Sequence, residues 1–283
     1  MIISGKDLAK KIKQDIADRV PELTATYGRA PHLAVILVGE DPASQSYVKS
    51  KGKDAEQVGY KSTTIRLPEE TSEAELLDVI AGLNADDTVD GVLVQLPVPK
   101  HIDEDRVIEA ISHEKDVDGF HPANVASLWQ KRDCVYPCTP KGVIRMLDEA
   151  GVQIEGKRAV VIGRSNIVGL PMAKMLLDRN ATVTVAHSRT RDLAQVTREA
   201  DILIAAVGRL RFVTADIVKP GAVVIDVGVN RDPATGKLAG DVDYDAVEGI
   251  ASVITPVPGG VGPMTRACLM ENTLECYLRR VRK

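Results

Sequence analysis

"VVIGRSNIVGLP", residues 160–171, reads as a strand, a turn and the start of a helix in immediate succession. An apolar run ends in Gly163, a polar turn follows, and Gly169 opens a helical pattern in which Pro171 suits the first turn. A dinucleotide site needs a strand, a turn whose backbone N–H groups face phosphate, and a helix whose N-terminus adds positive potential. Residues 158–179 supply these as "RAVVIG", "RSNIV" and "GLPMAKMLLDR". The usual G-x-G-x-x-G is absent. Arg164 and Ser165 stand where a second glycine would let backbone reach the pyrophosphate, so they are candidates to hold phosphate with side chains.

The following strand, "ATVTVAHSRT", is a second test. NAD sites commonly carry Asp or Glu at this strand end for the ribose hydroxyls, whereas NADP sites favour a cation. Here the strand ends in His187-Ser188-Arg189, and Ser188 and Arg189 suit a 2′-phosphate, with Arg164 as a second charge. NADP is the favoured cofactor and NAD stays open on these residues alone. The plain alternative is an ordinary βαβ turn with solvated arginines.

Working outward, strand-length apolar runs alternate with helical patterns along all 283 residues, which points to α/β architecture with parallel sheets. Ser4 with Asp7 opens a helix to about residue 25. "LAVILVG" (33–39) is a buried strand, and Asp41-Pro42 starts a helix ending near Gly59. A strand near 60–67, a helix capped by Ser72 and Glu75, the strand "DGVLVQLPVP" (90–99) and a short helix at 103–112 follow. The irregular stretch 113–140 joins two lobes. Beyond it a helix from Pro140 leads to strands at 158–162, 182–186, 201–206, 222–227 and 251–254, then a last helix.

Composition bounds the function. Hydrophobic residues make up 44% and aromatics only 3%, so the core is aliphatic. A net charge of −4 without a basic run argues against nucleic acid. No apolar run reaches membrane length, no signal-peptide core is present, and a cytoplasmic protein is expected. The four cysteines and five histidines offer no metal-ligand spacing, so no metal is expected.

In the first lobe, "DPASQSYVKSKGKDAEQVGY" (41–60) puts Tyr47 and Lys51 on one helix face at i, i+4. A lysine held against a phenol in a cleft can have a lowered pKa and act as acid or base; the bland alternative is a solvated helix face. Gln95 ends an apolar strand at its carboxyl end, where open α/β sheets place ligands, and Asp118 lies in a loop after the next crossover. A strand-end amide and a turn-capping aspartate are the alternatives. His121 before Pro122 reads as a turn residue, and His187 as a turn or phosphate-side residue.

Taken in order, "SYVKSK" (46–51), "VQLPVPKHID" (94–103), "KDVDGFHPANVASL" (115–128), "CTPKGV" (138–143), "VIGRSNIVGLP" (161–171), "AHSRT" (186–190), "VIDVGVN" (224–230) and "TPVPGGVGPMT" (255–265) resemble the bifunctional methylenetetrahydrofolate dehydrogenase/methenyltetrahydrofolate cyclohydrolase family over nearly the whole chain. The resemblance implies an N-terminal α/β catalytic domain (1–120) and a Rossmann-like NADP-binding domain (121–263), with the C-terminal helix, about 264–283, packing back on the first lobe. It implies oxidation of 5,10-methylenetetrahydrofolate with NADP+, then hydrolysis to 10-formyltetrahydrofolate. By similarity Lys51 is the acid/base, hydrogen-bonded to Tyr47 and positioned by Gln95, and a cationic substrate beside it would lower its pKa. Asp118 binds the pterin. Leu96, Pro258, Gly259 and Gly260 complete the substrate contacts, the last three in a flexible loop between the nicotinamide and folate sites. The cofactor set is Thr139, Gly163, Arg164, Ser165, Val168, His187, Ser188, Arg189, Ala206, Gly208, Gly228 and Thr265.

The resemblance also implies tetrahydrofolate derivatives as partners and a homodimer. Without G-x-x-x-x-G-K-[ST], an ATP-dependent ligase activity is not expected. Two competing functions are an NADP-dependent dehydrogenase of another small substrate, and a non-catalytic NADP-binding module.

Overall fold

The computed structural model describes residues 1–282. It forms two compact units: Lys11–Cys138 with the C-terminal segment from Arg266, and Met1–Lys10 with Thr139–Thr265.

The first unit is built on three parallel strands, β1 (His32–Val38), β2 (Lys61–Leu67) and β3 (Gly91–Val94), in the order β2-β1-β3. The middle strand β1 is buried along its whole length, which is why its sequence is an unbroken apolar run. Around it lie α1 (Gly5–Tyr27, from Lys11 onward), α2 (Pro42–Gln57), α3 (Glu73–Ala85), α4 (Glu104–Ala110) and α5 (Pro122–Trp129). Local chemistry sets their starts. The Asp41 carboxylate accepts from Ser44 N with Pro42 behind it, Ser72 and Glu75 form a full capping box, and Asp103 caps α4. Leu76 and Ile80, one turn apart on α3, are both fully buried in the core with Ile36 and Val92. Burying such a side chain contributes about 1.5–3 kcal/mol.

The final helix, Val261–Val281, enters this unit at Arg266. Its Tyr277 is fully buried, donates to Arg29 O at 2.8 Å and lies under the Arg29 guanidinium. Tyr60 donates to Met270 O at 2.9 Å. Buried Asp54 takes Lys13 at 2.6 Å and Arg266 at 2.7 Å, two cations on one carboxylate. The C-terminal helix therefore packs on the N-terminal lobe as expected.

The second unit carries five parallel strands, β4 (Arg158–Ile162), β5 (Thr182–Ala186), β6 (Ile202–Ala205), β7 (Val223–Asp226) and β10 (Val253–Ile254), in the order β10-β7-β6-β4-β5. A small antiparallel pair, β8 (Asn230–Arg231) and β9 (Leu238–Ala239), was not foreseen from the sequence. Helices α6 (Cys138–Glu149), α7 (Gly169–Asp178), α8 (Leu193–Thr197) and α9 (Tyr244–Val247) complete it. Here β4 and β5 fall at the expected residues and the other three are shorter by a residue or two at their ends; in the first unit β3 stops at Val94, well short of the 99 expected, because Pro97 and Pro99 cannot donate to the ladder.

The join lies at 138/139, later than the 120/121 read from sequence, and the first ten residues go with the second unit. Hydrogen bonds explain both. Asn272 donates to Tyr136 O and Val117 O, holding residues up to 138 in the first unit. Ile2 pairs with Ile254, and Lys6 N donates to Gly259 O, tying the N-terminus to the second.

Both sheets share one feature. Counted along the chain, the strands run 2-1-3 in the first unit and 2-1-3-4-5 in the second. The winding reverses beside the first strand of each, and doubly wound sheets bind ligands at the carboxyl ends next to that reversal.

Candidate active site

In the first unit the reversal lies between β1 and β3. Gln95 follows β3 and its N donates to Ile36 O at 2.8 Å, extending the ladder and fixing the residue in place. Its amide is oriented from both ends: Nε2 donates to Leu96 O at 2.7 Å, and Oε1 accepts from Lys51 Nζ at 2.9 Å. Lys51 is 8% exposed on α2. That bond, and not one to Tyr47, is its hydrogen bond among the described residues, which corrects the expected Tyr47–Lys51 pairing. Tyr47 lies one turn earlier on α2 with its side chain exposed. A buried ammonium takes the oriented amide oxygen within reach, leaving the phenol open to solvent.

Asp118 joins this group. Burial raises its carboxyl above the ordinary carboxylate range and the Lys51 charge pulls it back; Asp116 adds to the rise, and a hydrogen bond from Cys138 opposes it. Its loop is shaped by Asp116, which accepts from Gly119 N, His121 N and Asn124 Nδ2. Gly119 has φ 73°, and a Cβ there would meet Pro137 N at 2.8 Å. Of the two aspartates in "KDVDG", one is consumed by the turn and the other is left for chemistry. Cys138 and Asn272 were missed by sequence reasoning. Asn272 donates to Cys138 Sγ at 3.3 Å and to Val117 O, bracing the Asp118 segment. A fully buried asparagine in "MENTLECYL" was the available signal.

In the second unit the reversal lies between β4 and β6, where Gly163 meets Ala206. Gly163 has φ 122°, and a Cβ would sit 2.1 Å from Ala206 O, so the turn admits only glycine. Ser165 Oγ accepts from Val168 N and Gly169 N at 3.2 and 3.3 Å, capping α7 from inside the turn. Arg164 and Arg189 are exposed and neither has an ion pair among the described residues. Ser188 is exposed beside Arg189. His187 is turn machinery: its N donates to Thr190 Oγ1 at 2.8 Å and its Nδ1 accepts from Arg189 N at 3.1 Å. Thr139 and Thr265, 126 residues apart, meet Oγ1 to Oγ1 at 3.0 Å. Gly208 and Gly228 lie after β6 and β7. Pro258, Gly259 and Gly260 form a loop tethered by Lys6 N to Gly259 O at 2.9 Å; Gly260 O would clash with any Cβ on Gly5.

These residues fit a phosphorylated dinucleotide. The start of α7, whose N-cap Val168 makes no side-chain cap bond, and two exposed arginines without ion pairs suit phosphate, and the β5 end carries no carboxylate before Asp192. A separate cleft of about 420 Å³ lies at the amino ends of the strands, lined by Lys157, Asp201, Lys219 and Ser252. That is the end doubly wound sheets do not use for such ligands. Among the described residues, no helix is long and apolar enough to cross a membrane, and no three His, Cys, Asp or Glu side chains are grouped to hold a metal ion.

A doubly wound sheet with a glycine-only turn at its reversal is the architecture of nucleotide-binding α/β proteins. The comparisons give the family. Residues 3–118 match the catalytic domain of tetrahydrofolate dehydrogenase/cyclohydrolase, and residues 137–281 match its NAD(P)-binding domain. The bifunctional protein FolD of Streptococcus pneumoniae is 57% identical over 278 residues, covering 98% of this chain and 97% of that protein. The Campylobacter jejuni FolD methylenetetrahydrofolate dehydrogenase/cyclohydrolase structure has a TM-score of 0.96 at 49% identity, covering 99% of each chain. The Trypanosoma brucei enzyme, solved with NADP cofactor and an inhibitor, has a TM-score of 0.96 at 40% identity, covering 100% of this chain and 99% of that one. The chain belongs to the tetrahydrofolate dehydrogenase/cyclohydrolase family.

Proposed function

We propose that this protein is an NADP-dependent methylenetetrahydrofolate dehydrogenase and methenyltetrahydrofolate cyclohydrolase, with tetrahydrofolate derivatives as its substrates. The observation that carries the chemistry is the Lys51–Gln95 bond at 2.9 Å beside Asp118, at the ligand end of the first sheet. Family membership supplies the substrate class, and the Campylobacter jejuni relative bears both activities in its name.

NADP+ supplies a hydride acceptor for the one-carbon bridge. This chain's residues do the rest. Asp118 accepts from the pterin ring N–H and amino group, and so orients the folate. Loss of hydride leaves a methenyl cation, which needs positioning rather than a proton acceptor. Lys51, held by Gln95, takes a proton from the water that attacks the methenyl carbon and returns one to the ring nitrogen that leaves. Tyr47 and Leu96 line the folate, and the family resemblance adds Pro258, Gly259 and Gly260 as substrate contacts. On the cofactor side Gly163, Arg164, Ser165 and Val168 take the pyrophosphate, and Ser188 and Arg189, with His187 setting their turn, take the 2′-phosphate. Ala206, Gly208, Gly228, Thr139 and Thr265 line the remainder.

The reading includes a cytoplasmic homodimer; static light scattering on purified protein checks the dimer, and cell fractionation the compartment. Full-length relatives at this identity leave the two competing functions, another small-molecule dehydrogenase and a binding module, without support. The test is a progress curve with 5,10-methylenetetrahydrofolate and NADP+ or NAD+, following reduced nicotinamide and the acid-quenched products. Reduction with NADP+ and 10-formyltetrahydrofolate forming faster than spontaneous hydrolysis supports the proposal. Methenyl accumulation alone removes the Lys51 assignment.

A further inference from the structure

Helix α1 opens with Gly5, a residue type that weakens helices. Its surroundings explain the choice. Gly5 is buried, and a Cβ on it would lie 1.9 Å from Gly260 O and 2.7 Å from Gly260 C. The next residue completes the contact. Lys6 N, a first-turn amide that has no partner within the helix, donates to Gly259 O at 2.9 Å. Two successive carbonyls of the loop at 258–260 thus face the start of α1, one accepting a hydrogen bond and one in a contact that admits no side chain. Residues 1–10 belong to the same unit as this loop.

Each partner is anchored independently. On one side, Ile2 pairs in parallel with Ile254, Ile3 N donates to Ile254 O at 3.0 Å, and Ser4 Oγ accepts from Asp7 N at 3.2 Å. The tail before α1 is therefore an added edge of the second sheet, and buried Ile3 fixes it there. On the other side, the stem of the loop is tied to β7. Thr255 N donates to Val224 O at 3.2 Å, and Thr255 Oγ1 accepts from Asp226 N at 2.8 Å. The loop folds back on this stem so closely that a Cβ on Gly260 would lie 2.5 Å from Pro256 O. The peptide joining Gly259 to Gly260 is held between stem and helix.

We infer that Gly5 and Lys6 are positioning residues, whose backbone sets where the loop at 258–260 stands against the folate. The inference rests on the proposed function, in which Pro258, Gly259 and Gly260 contact the substrate. Gly5 and Lys6 act through the loop carbonyls they face.

The test uses the full-length protein and steady-state oxidation of 5,10-methylenetetrahydrofolate at saturating NADP+. Gly5→Ala sets a methyl group against backbone that no rotamer change can clear, so the loop must shift by about 1 Å or more. The expected result is KM for the folate raised about tenfold or more, with kcat changed less, since a contact made equally in the ground and transition states moves KM. Adenosine 2′,5′-bisphosphate, a probe of the phosphate-binding arginines, should bind as before by calorimetry. A lowered urea midpoint with KM unmoved overturns the inference by showing a structural role only, and so does equal weakening of folate and bisphosphate. If Gly5→Ala does not fold, Lys6→Pro removes the amide donor, because proline is tolerated in a first helical turn. Read against Lys6→Ala, which loses the same side chain and keeps the N–H, it should raise KM by about two- to tenfold, and equal KM in the two overturns the inference. Gly259→Ala, which strains the loop itself at φ 108°, separates the two levels. No rise in KM there refutes the loop's place in the site and the inference with it, whereas a rise there without one in Gly5→Ala refutes the positioning alone. Failure of the unchanged protein to turn over the folate would instead mean that the proposed function is wrong.

Discussion

Replacing Gln95 by leucine keeps the volume and the strand position but removes the acceptor for Lys51. Lys51 is 8% exposed, and Gln95 Oε1 at 2.9 Å is its one acceptor among the described residues. A hydrogen bond to a charged group contributes about 1.5–3 kcal/mol, and each 1.4 kcal/mol is a factor of ten in rate, so the expected loss is roughly 10- to 150-fold. The lower part of that range is favoured, because the freed ammonium can turn to Tyr47 one turn back or to water. The assay is hydrolysis of 5,10-methenyltetrahydrofolate without cofactor, with NADP+ affinity measured in parallel by calorimetry. We expect kcat for hydrolysis to fall while NADP+ affinity holds, because Gln95 and the phosphate turn belong to different units. Lys51→Met, run beside it, sets the floor of the spontaneous reaction. Hydrolysis at the unchanged rate in Gln95→Leu would refute the positioning argument, and a parallel loss of NADP+ affinity would refute the division of labour.

Three further outcomes are expected. Arg189→Ala should weaken NADP+ by about tenfold or more while barely moving NAD+, since a guanidinium–phosphate contact is charge-assisted; equal losses in a titration with each would place Arg189 away from the 2′-phosphate. Asp118→Ala should raise KM for methylenetetrahydrofolate by roughly 10- to 100-fold through two lost hydrogen bonds to the pterin, and an unchanged KM would send the pterin elsewhere. Burial pushes the Asp226 carboxyl up to about 7 from the ordinary 3.8, with the Asp241 charge adding to the rise and three backbone donors opposing it. Between those values the folded state keeps a proton that the unfolded chain has lost, so this group's contribution to stability falls as pH rises from about 4 to about 7, by at most ~4 kcal/mol. Urea unfolding of the unchanged protein and Asp226→Asn across that range should therefore differ in slope; parallel profiles would show that Asp226 does not titrate there.

What could be read from the sequence was what is encoded locally. β1 announced itself as an apolar run because a central parallel strand is covered on both faces, and α2 and α3 because Asp41-Pro42 and Ser72 with Glu75 are complete start signals within four residues. The glycine turn was legible because Gly163, Arg164 and Ser165 are contiguous. α5 was hidden because its cap is the ring of His121, accepting from Ala123 N, rather than a hydroxyl or carboxylate. The partner of Lys51 was assigned to Tyr47 by helix spacing, whereas the oxygen that wins comes from 44 residues away. Asp241 could not be connected to the Val207–Arg209 amides for the same reason: 32 to 34 residues and a hairpin intervene. Pattern reasoning sees periodicity and caps; it does not see which acceptor a folded chain brings closest.

The two sheets use one topological device for opposite chemistry, and the difference lies in how each disposes of backbone polarity at its ligand end. In the first unit the strand end keeps a side-chain amide, and that amide is spent on a lysine. In the second, exposed arginines without ion pairs stand at the β4 and β5 ends, while the amides of the loop after β6 are taken by the buried Asp241 carboxylate.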